Sequence, residues 1–316
     1  MLRPLSRSCS LLAVVALAVT VAASPAAGAA ELVVGPGMPF AAPSAAAAAA
    51  HDGDTVRIAG GVYRDCAVWK ANRLRIVALA GTEPHIDGVA CQGKALWIVR
   101  GRDVSIEGIG FSHAAVPARN GAGIFVADGT LTLRRVHFSD NENGILTANR
   151  PGIELTIEDS VFERNGKCEP QCAHGIYVGR GASLLRILRS TFREQHVGHH
   201  IKSRARRTEI VDCVIEDGPA GTASYAIDIP DGGTAEIRGN RIEKGPRSEN
   251  PSAIVAIGEE GGDNPGLGYV IENNRVRSDL PALTIFVRNR SDRPALLRGN
   301  VLDGPVVPLT GPGRVK

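Results

Sequence analysis

One phrase returns seven times between residues 104 and 276: a β-prone run, a two- or three-residue polar or glycine break, then a second β-prone run. The copies start at Val104, Leu131, Leu155, Leu185, Thr208, Ala235 and Tyr269, so successive starts lie 27, 24, 30, 23, 27 and 34 residues apart. In Leu155-Thr156-Ile157-Glu158-Asp159-Ser160-Val161-Phe162, apolar and polar residues alternate on either side of the Asp159-Ser160 break. The period is 2, so each copy is a bent pair of strands and not a helix. A unit of this length that recurs without helical periodicity builds a solenoid. Each unit supplies one more β run, at 123–126, 143–146, 174–178, 199–202, 225–229, 253–257 and 283–287. Three short strands per coil predict an all-β fold, a right-handed parallel β-helix with inward Ile, Val, Leu and Phe ladders as its core. A single domain is expected over 30–316.

Residues 1–29 read as a signal peptide, with Arg3 and Arg7 as a positive start, an apolar run over 11–23 and Ala27-Gly28-Ala29 as the cleavage site. No later stretch has the length needed to span a bilayer, so a secreted or periplasmic mature chain is expected. Its removal takes the formal charge from +3 to +1, which leaves no basic field to attract nucleic acid.

The opening of the mature chain carries a resemblance. Ala45 to Ala50 are followed by His51-Asp52-Gly53-Asp54-Thr55-Val56-Arg57-Ile58 and then Gly60-Gly61-Val62-Tyr63. Together with the repeats, this resembles the secreted right-handed parallel β-helix proteins of the pectate-lyase-like superfamily. The resemblance implies that the Ala-rich piece is a short helix capping the open end of the core. It leaves activity open, because the fold hosts lyases, hydrolases, esterases, epimerases and inert modules.

The cysteines fit an exported chain. Cys9 falls in the signal peptide; Cys66 and Cys91 are one coil apart and Cys168 and Cys172 close a small insertion, so two disulfides are expected. Cys213, at the break of a repeat, is read as a buried, unpaired small residue.

Residues 195–207 hold three histidines, one lysine and three arginines, a density that no other window approaches. Read as a strand, this stretch turns His200, Lys202 and Arg204 outward and His199 inward with Ile201 and Ser203. His174 is likewise read as inward-facing. Aligning the third run of each coil puts Tyr177, Lys202, Asp228 and Ala256 on one outward column, about 4.8 Å apart. Gly175, His200 and Ala226 form the column two residues earlier, and Asp231, Glu259 and Glu260 follow the strand ends. Small residues beside large polar ones suit a groove for a chain-like ligand.

β-Elimination from a uronate needs a base for the C5 proton, positive charge at the carboxylate and an acid for the leaving oxygen. Lys202 or His200 is the candidate base, Arg204 the carboxylate clamp and Tyr177 the proton donor, with Asp228, His199, His174 and Glu259 contacting substrate. A lysine base needs a lowered pKa, which Arg204 and His200 favour and Asp228 opposes. The lysine–arginine pairing resembles metal-assisted alginate- and chondroitin-type lyases of this fold, without their ligand motifs residue by residue. No cofactor is required by this reading; calcium is the metal that Asp228, Asp231 and Glu259 would suit. The expected partner is an acidic polysaccharide, bound by a monomer. The alternatives are a non-catalytic carbohydrate-binding or envelope module, and a polygalacturonase-like hydrolase using Asp228, Asp231 and Glu259. The Trp-x-Asp-His and Arg-x-Pro-x-x-Arg phrases of pectate lyases are absent. Trp69 and Trp97 lie upstream of the cluster and offer it no aromatic platform.

Overall fold

The repeat phrases become strands because their apolar residues can stack on the same residues of the coil before. The starts Val104, Leu131, Leu155, Leu185, Thr208, Ala235 and Tyr269 pair in one unbroken register from coil to coil. In a computed structural model, which describes residues 28–169, 171–261 and 264–316, the chain is a right-handed parallel β-helix. Among the described residues the strands form three parallel sheets of twelve, ten and ten. Residues 1–27 of the expected signal peptide, Cys9 included, lie outside the described residues.

Each repeat breaks at a residue in the left-handed region. Arg135, Asp159, Arg189, Asp212 and Asn273 hold φ of 49°, 51°, 48°, 54° and 56°, and Gly239 takes the same place at 66°. A single left-handed residue turns the chain sharply enough to pass from one sheet to the next. The residue that follows is buried and stacks as well. Asn240 donates through Nδ2 to Asn274 Oδ1 at 2.9 Å, and Asn274 likewise to Asn300 at 2.9 Å. Cys213 occupies this column, buried and free, with its N–H on Asn240 Oδ1 at 2.8 Å. Burial pushes its thiol up to about 11.

Inside, Phe111, Phe138, Phe162 and Phe192 stack with ring centres 5.0, 4.8 and 4.7 Å apart. Trp69 and Trp97 extend this ladder toward the N-terminal end and are fully buried. They are therefore core residues, not a sugar platform. The Pro43–Ala49 helix closes that end, packing against the Glu31–Val34 and Ala67–Trp69 strands and burying Pro43, Ala46 and Ala47. Cys66 is bonded to Cys91, and Cys168 to Cys172. Among the described residues no helix is long and apolar enough to cross a membrane.

Phe162 is stacked on both faces, so truncation leaves a cavity that neighbouring coils cannot fill. Phe162→Ala is expected to lower stability by about 3–5 kcal/mol in urea denaturation, against under about 1 kcal/mol for an exposed substitution such as Arg241→Ala.

Candidate functional site

The sheet that contains His199–Ser203 does not alternate strictly. At the start of its strands the chain bends, and two successive residues face the core: Ala226 with Ile227, and Ile254 with Val255. At the equivalent place Gly144 has no room for a side chain, since a Cβ there would lie 2.9 Å from the Phe162 ring and 2.5 Å from the Gly175 carbonyl oxygen. His200 falls on this inward position. It is 1% exposed, stands edge-on to Phe192 and shares a 2.8 Å hydrogen bond with Asp217. The alternation read from the sequence is thus inverted at these residues: His200 leaves the groove, and His199 faces it.

Beyond the bend the outward column is regular. Phe125, Leu146, Tyr177, Lys202, Asp228, Ala256 and Arg288 are partners from coil to coil. Lys202, 8% exposed, extends its Nζ to Asp228 Oδ2 at 2.9 Å and to Glu260 Oε1 at 2.6 Å. Arg204 donates through Nε to the Tyr177 hydroxyl at 3.0 Å and through Nη1 to Asp231 Oδ1 at 2.5 Å. Its Nη2 meets the second oxygen of Glu260. One carboxylate, on a side chain 42% exposed, therefore bridges the ammonium and the guanidinium with one oxygen on each. Arg180 closes the far side of Asp231 at 2.9 Å.

These contacts fix the protonation of the cluster. Burial works against the charge on Lys202, but Asp228 and Glu260 outweigh it and hold the ammonium above its ordinary range. Burial likewise opposes the Glu260 carboxylate, yet Arg204 and Lys202 bring it down to about 2. Lys202 is thus a held cation, whereas the base read from the sequence required a lowered pKa. Asp228 Oδ1 is buried without a hydrogen-bond partner among the described residues.

Three rings line the groove beside this network. His174 stacks on His199 at 4.7 Å, and His199 on Tyr225 at 5.0 Å. His174 Nδ1 accepts from the His199 N–H at 3.1 Å, and His199 Nδ1 accepts from the Tyr225 N–H at 3.2 Å. Each Nδ1 being an acceptor, the neutral rings carry their proton on Nε2; that of His199 faces Asp228 Oδ2 at 3.4 Å. Burial, then the Lys202 and Arg204 charges, depress His174 to about 3. Burial, then His174 and Lys202, carry His199 well below the usual imidazole value. His174, Tyr177, His199, Lys202, Arg204 and Glu260 share one cavity of about 480 Å³.

Glu259 stands apart, with Oε1 2.5 Å from Arg288 Nε and Oε2 3.3 Å from Arg290 Nε. Asp228, Asp231 and Glu259 are thus spent on three different sets of cations. They do not converge, and no group of three or more His, Cys, Asp or Glu among the described residues is arranged to hold a metal ion. The calcium expectation does not fit these residues. Arg180, Tyr225 and Arg288 escaped the sequence reading as site residues, and Glu260, placed just past the strand ends, was given no role. Extending the aligned column by one coil reaches Arg288; Glu260 and Arg180 come from loops and give no periodic signal. Behind the sheet, burial lowers the Lys244 ammonium to about 8, and its Nζ donates to the Ser224 carbonyl at 2.6 Å.

No family model matches the chain, and no curated protein matches it in sequence. Among solved structures, an alginate lyase from Paenibacillus sp. str. FPU-7 aligns with a TM-score of 0.69 at 18% identity, over 90% of this chain and 99% of its own. Pectate lyase Pel9A aligns at 0.57 with 14% identity, over 90% of this chain and 77% of its own. These likenesses show the fold, the parallel β-helix of the pectate-lyase-like proteins.

The depressed His174 gives the site a signature in stability. Between about 3 and the unfolded value near 6.5, the unfolded chain binds a proton there that the folded chain refuses, so stability falls as pH drops through that window. Urea midpoints between about pH 7 and pH 4.5 are expected to fall less steeply in His174→Gln than in the parent protein. Equal slopes in the two proteins count against a buried neutral His174.

Proposed function

We propose that the protein cleaves an acidic, uronate-containing polysaccharide by β-elimination at Tyr177, Lys202 and Arg204. The observation that carries this reading is the Glu260 carboxylate, bridging Lys202 Nζ and Arg204 Nη2. A substrate carboxylate in the same seat has a cation on each oxygen, which is what the developing enolate requires. Two solved structures with this fold are an alginate lyase and a pectate lyase, in keeping with that chemistry.

The proton transfers follow from the charge states. Lys202 is held as an ammonium, so it supplies a proton and does not take one. The Tyr177 oxygen lies on the same guanidinium as the carboxylate seat, and we assign to it the C5 proton of a sugar bound there. The step requires Tyr177 to enter as the phenolate on Arg204, its own proton having gone to solvent. The C5 proton passes to the phenolate oxygen, the C5–H electrons form the C4–C5 double bond, and the C4–O bond breaks as the leaving oxygen gains a proton from the Lys202 ammonium, which is left as the neutral amine. One fragment ends in an unsaturated uronate and the other in a new reducing end. The assignment reverses the two roles suggested by the sequence. His174 and His199, neutral and protonated on Nε2, orient the sugar and Asp228.

Incubation with alginate, polygalacturonate and glycosaminoglycan uronates is expected to raise absorbance near ~235 nm, from the conjugated product. Tyr177→Phe, which removes one oxygen, should cut kcat by about 10²–10⁴-fold with the fold intact by circular dichroism. Arg204→Lys should raise KM more than it lowers kcat, because the planar fork is lost. Saturated reducing ends as the only products would turn the reading to hydrolysis, and binding without turnover to a carbohydrate-binding module.

A further inference from the structure

The carboxylate seat at Lys202 and Arg204 has a counterpart on the same column. Arg288 and Arg290 together hold the two oxygens of Glu259, as Lys202 and Arg204 hold those of Glu260. The neighbouring phenol is repeated too. Arg204 donates to the Tyr177 hydroxyl with its guanidinium centre 5.8 Å from the ring centre; Arg288 donates to the Tyr225 hydroxyl at 2.5 Å with its centre 5.6 Å from that ring. The small Ala256 lies between the Asp228 and Arg288 positions and lets the Arg288 side chain reach back two coils to Tyr225. Glu259 and Glu260 are adjacent in sequence, so one loop places two neighbouring carboxylates on two neighbouring cation pairs.

We infer that Arg288 and Arg290 form a second carboxylate seat, and that the ligand is a run of uronates lying along the helix axis with one acid group in each seat. This rests on the reading of the Lys202–Arg204 pair as the substrate-carboxylate seat. In the free protein Glu259 and Glu260 fill both seats, and the glycan displaces them. An acid group at both places favours blocks of consecutive uronates over chains in which neutral sugars alternate. Arg288 is the element that sets this preference, since it also carries the Tyr225 contact.

Calorimetric titration of Tyr177→Phe protein with trimers and hexamers of mannuronate, guluronate and galacturonate tests the inference. The hexamer of the preferred series is expected to bind at least about tenfold more tightly than its trimer. In Arg288→Gln/Arg290→Gln this ratio should fall toward one; Arg290→Gln alone, at a side chain 61% exposed, should lower it without disturbing Tyr225. Glu259→Gln, which vacates the seat, should tighten the hexamer a few-fold. If the parent discriminates length and both arginine variants keep the full ratio, or if the parent shows no length dependence, the second seat is wrong while the first stands. If the parent binds none of the three series, the second seat falls, and the uronate reading falls with it when glycosaminoglycan uronates are not bound either.

Discussion

Every feature of this protein depends on one repeated contact, in which an inward side chain of one coil rests on the equivalent side chain of the next. In a parallel sheet with a residue period of 2, a slip of one position would send a whole ladder into solvent. The ladders of Ile, Phe and Val therefore fix the register coil by coil, and the outward residues inherit it. Tyr177, Lys202 and Asp228 are side by side because Ile176, Ile201 and Ile227 are. Placement by the core leaves the outward chemistry free to vary, and such a scaffold holds outward side chains such as Tyr177, Lys202 and Asp228 on rigid strands.

The cost of that placement is electrostatic. Lys202, Arg204, Asp228 and Asp231 are all nearly buried, and a buried charge is tolerated only with partners. The network supplies them: two carboxylates on the ammonium, two on the guanidinium, and Arg180 beyond. The same pairing holds Lys202 protonated, while burial first, and then the cations the network retains, keep the two stacked histidines neutral. Charge states that a sequence leaves open are thus settled by which carboxylate lies within 3 Å of which cation. The residues most affected, His174 and His199, are those whose protons are already committed by backbone N–H groups.

The coil pattern was legible because it is a property of sequence spacing, and the outward column followed from it by alignment. Three things were not. His200 and His199 exchange faces because the strand bends over the phenylalanine ladder, a packing constraint invisible in a strictly alternating reading. Glu260 was passed over for Glu259 because both lie in a loop, where no periodicity assigns direction. The direction of the Lys202 pKa depends on a contact between residues 58 apart in sequence, and spacing carries no information about such a contact.

The two internal carboxylates also bear on what kind of ligand can enter. A glutamate tethered beside its cation pair competes at an effective concentration in the millimolar range, without losing the translational freedom that a free acid loses. A monosaccharide with one acid group faces that competition and gains little else. A polymer offers several acid groups on one chain, so that the first contact raises the effective concentration of the second and the displaced glutamates return to solvent together. On the proposed function, selectivity for long acidic chains over their free sugars follows from the resting state of the site, before any contact specific to one sugar is considered.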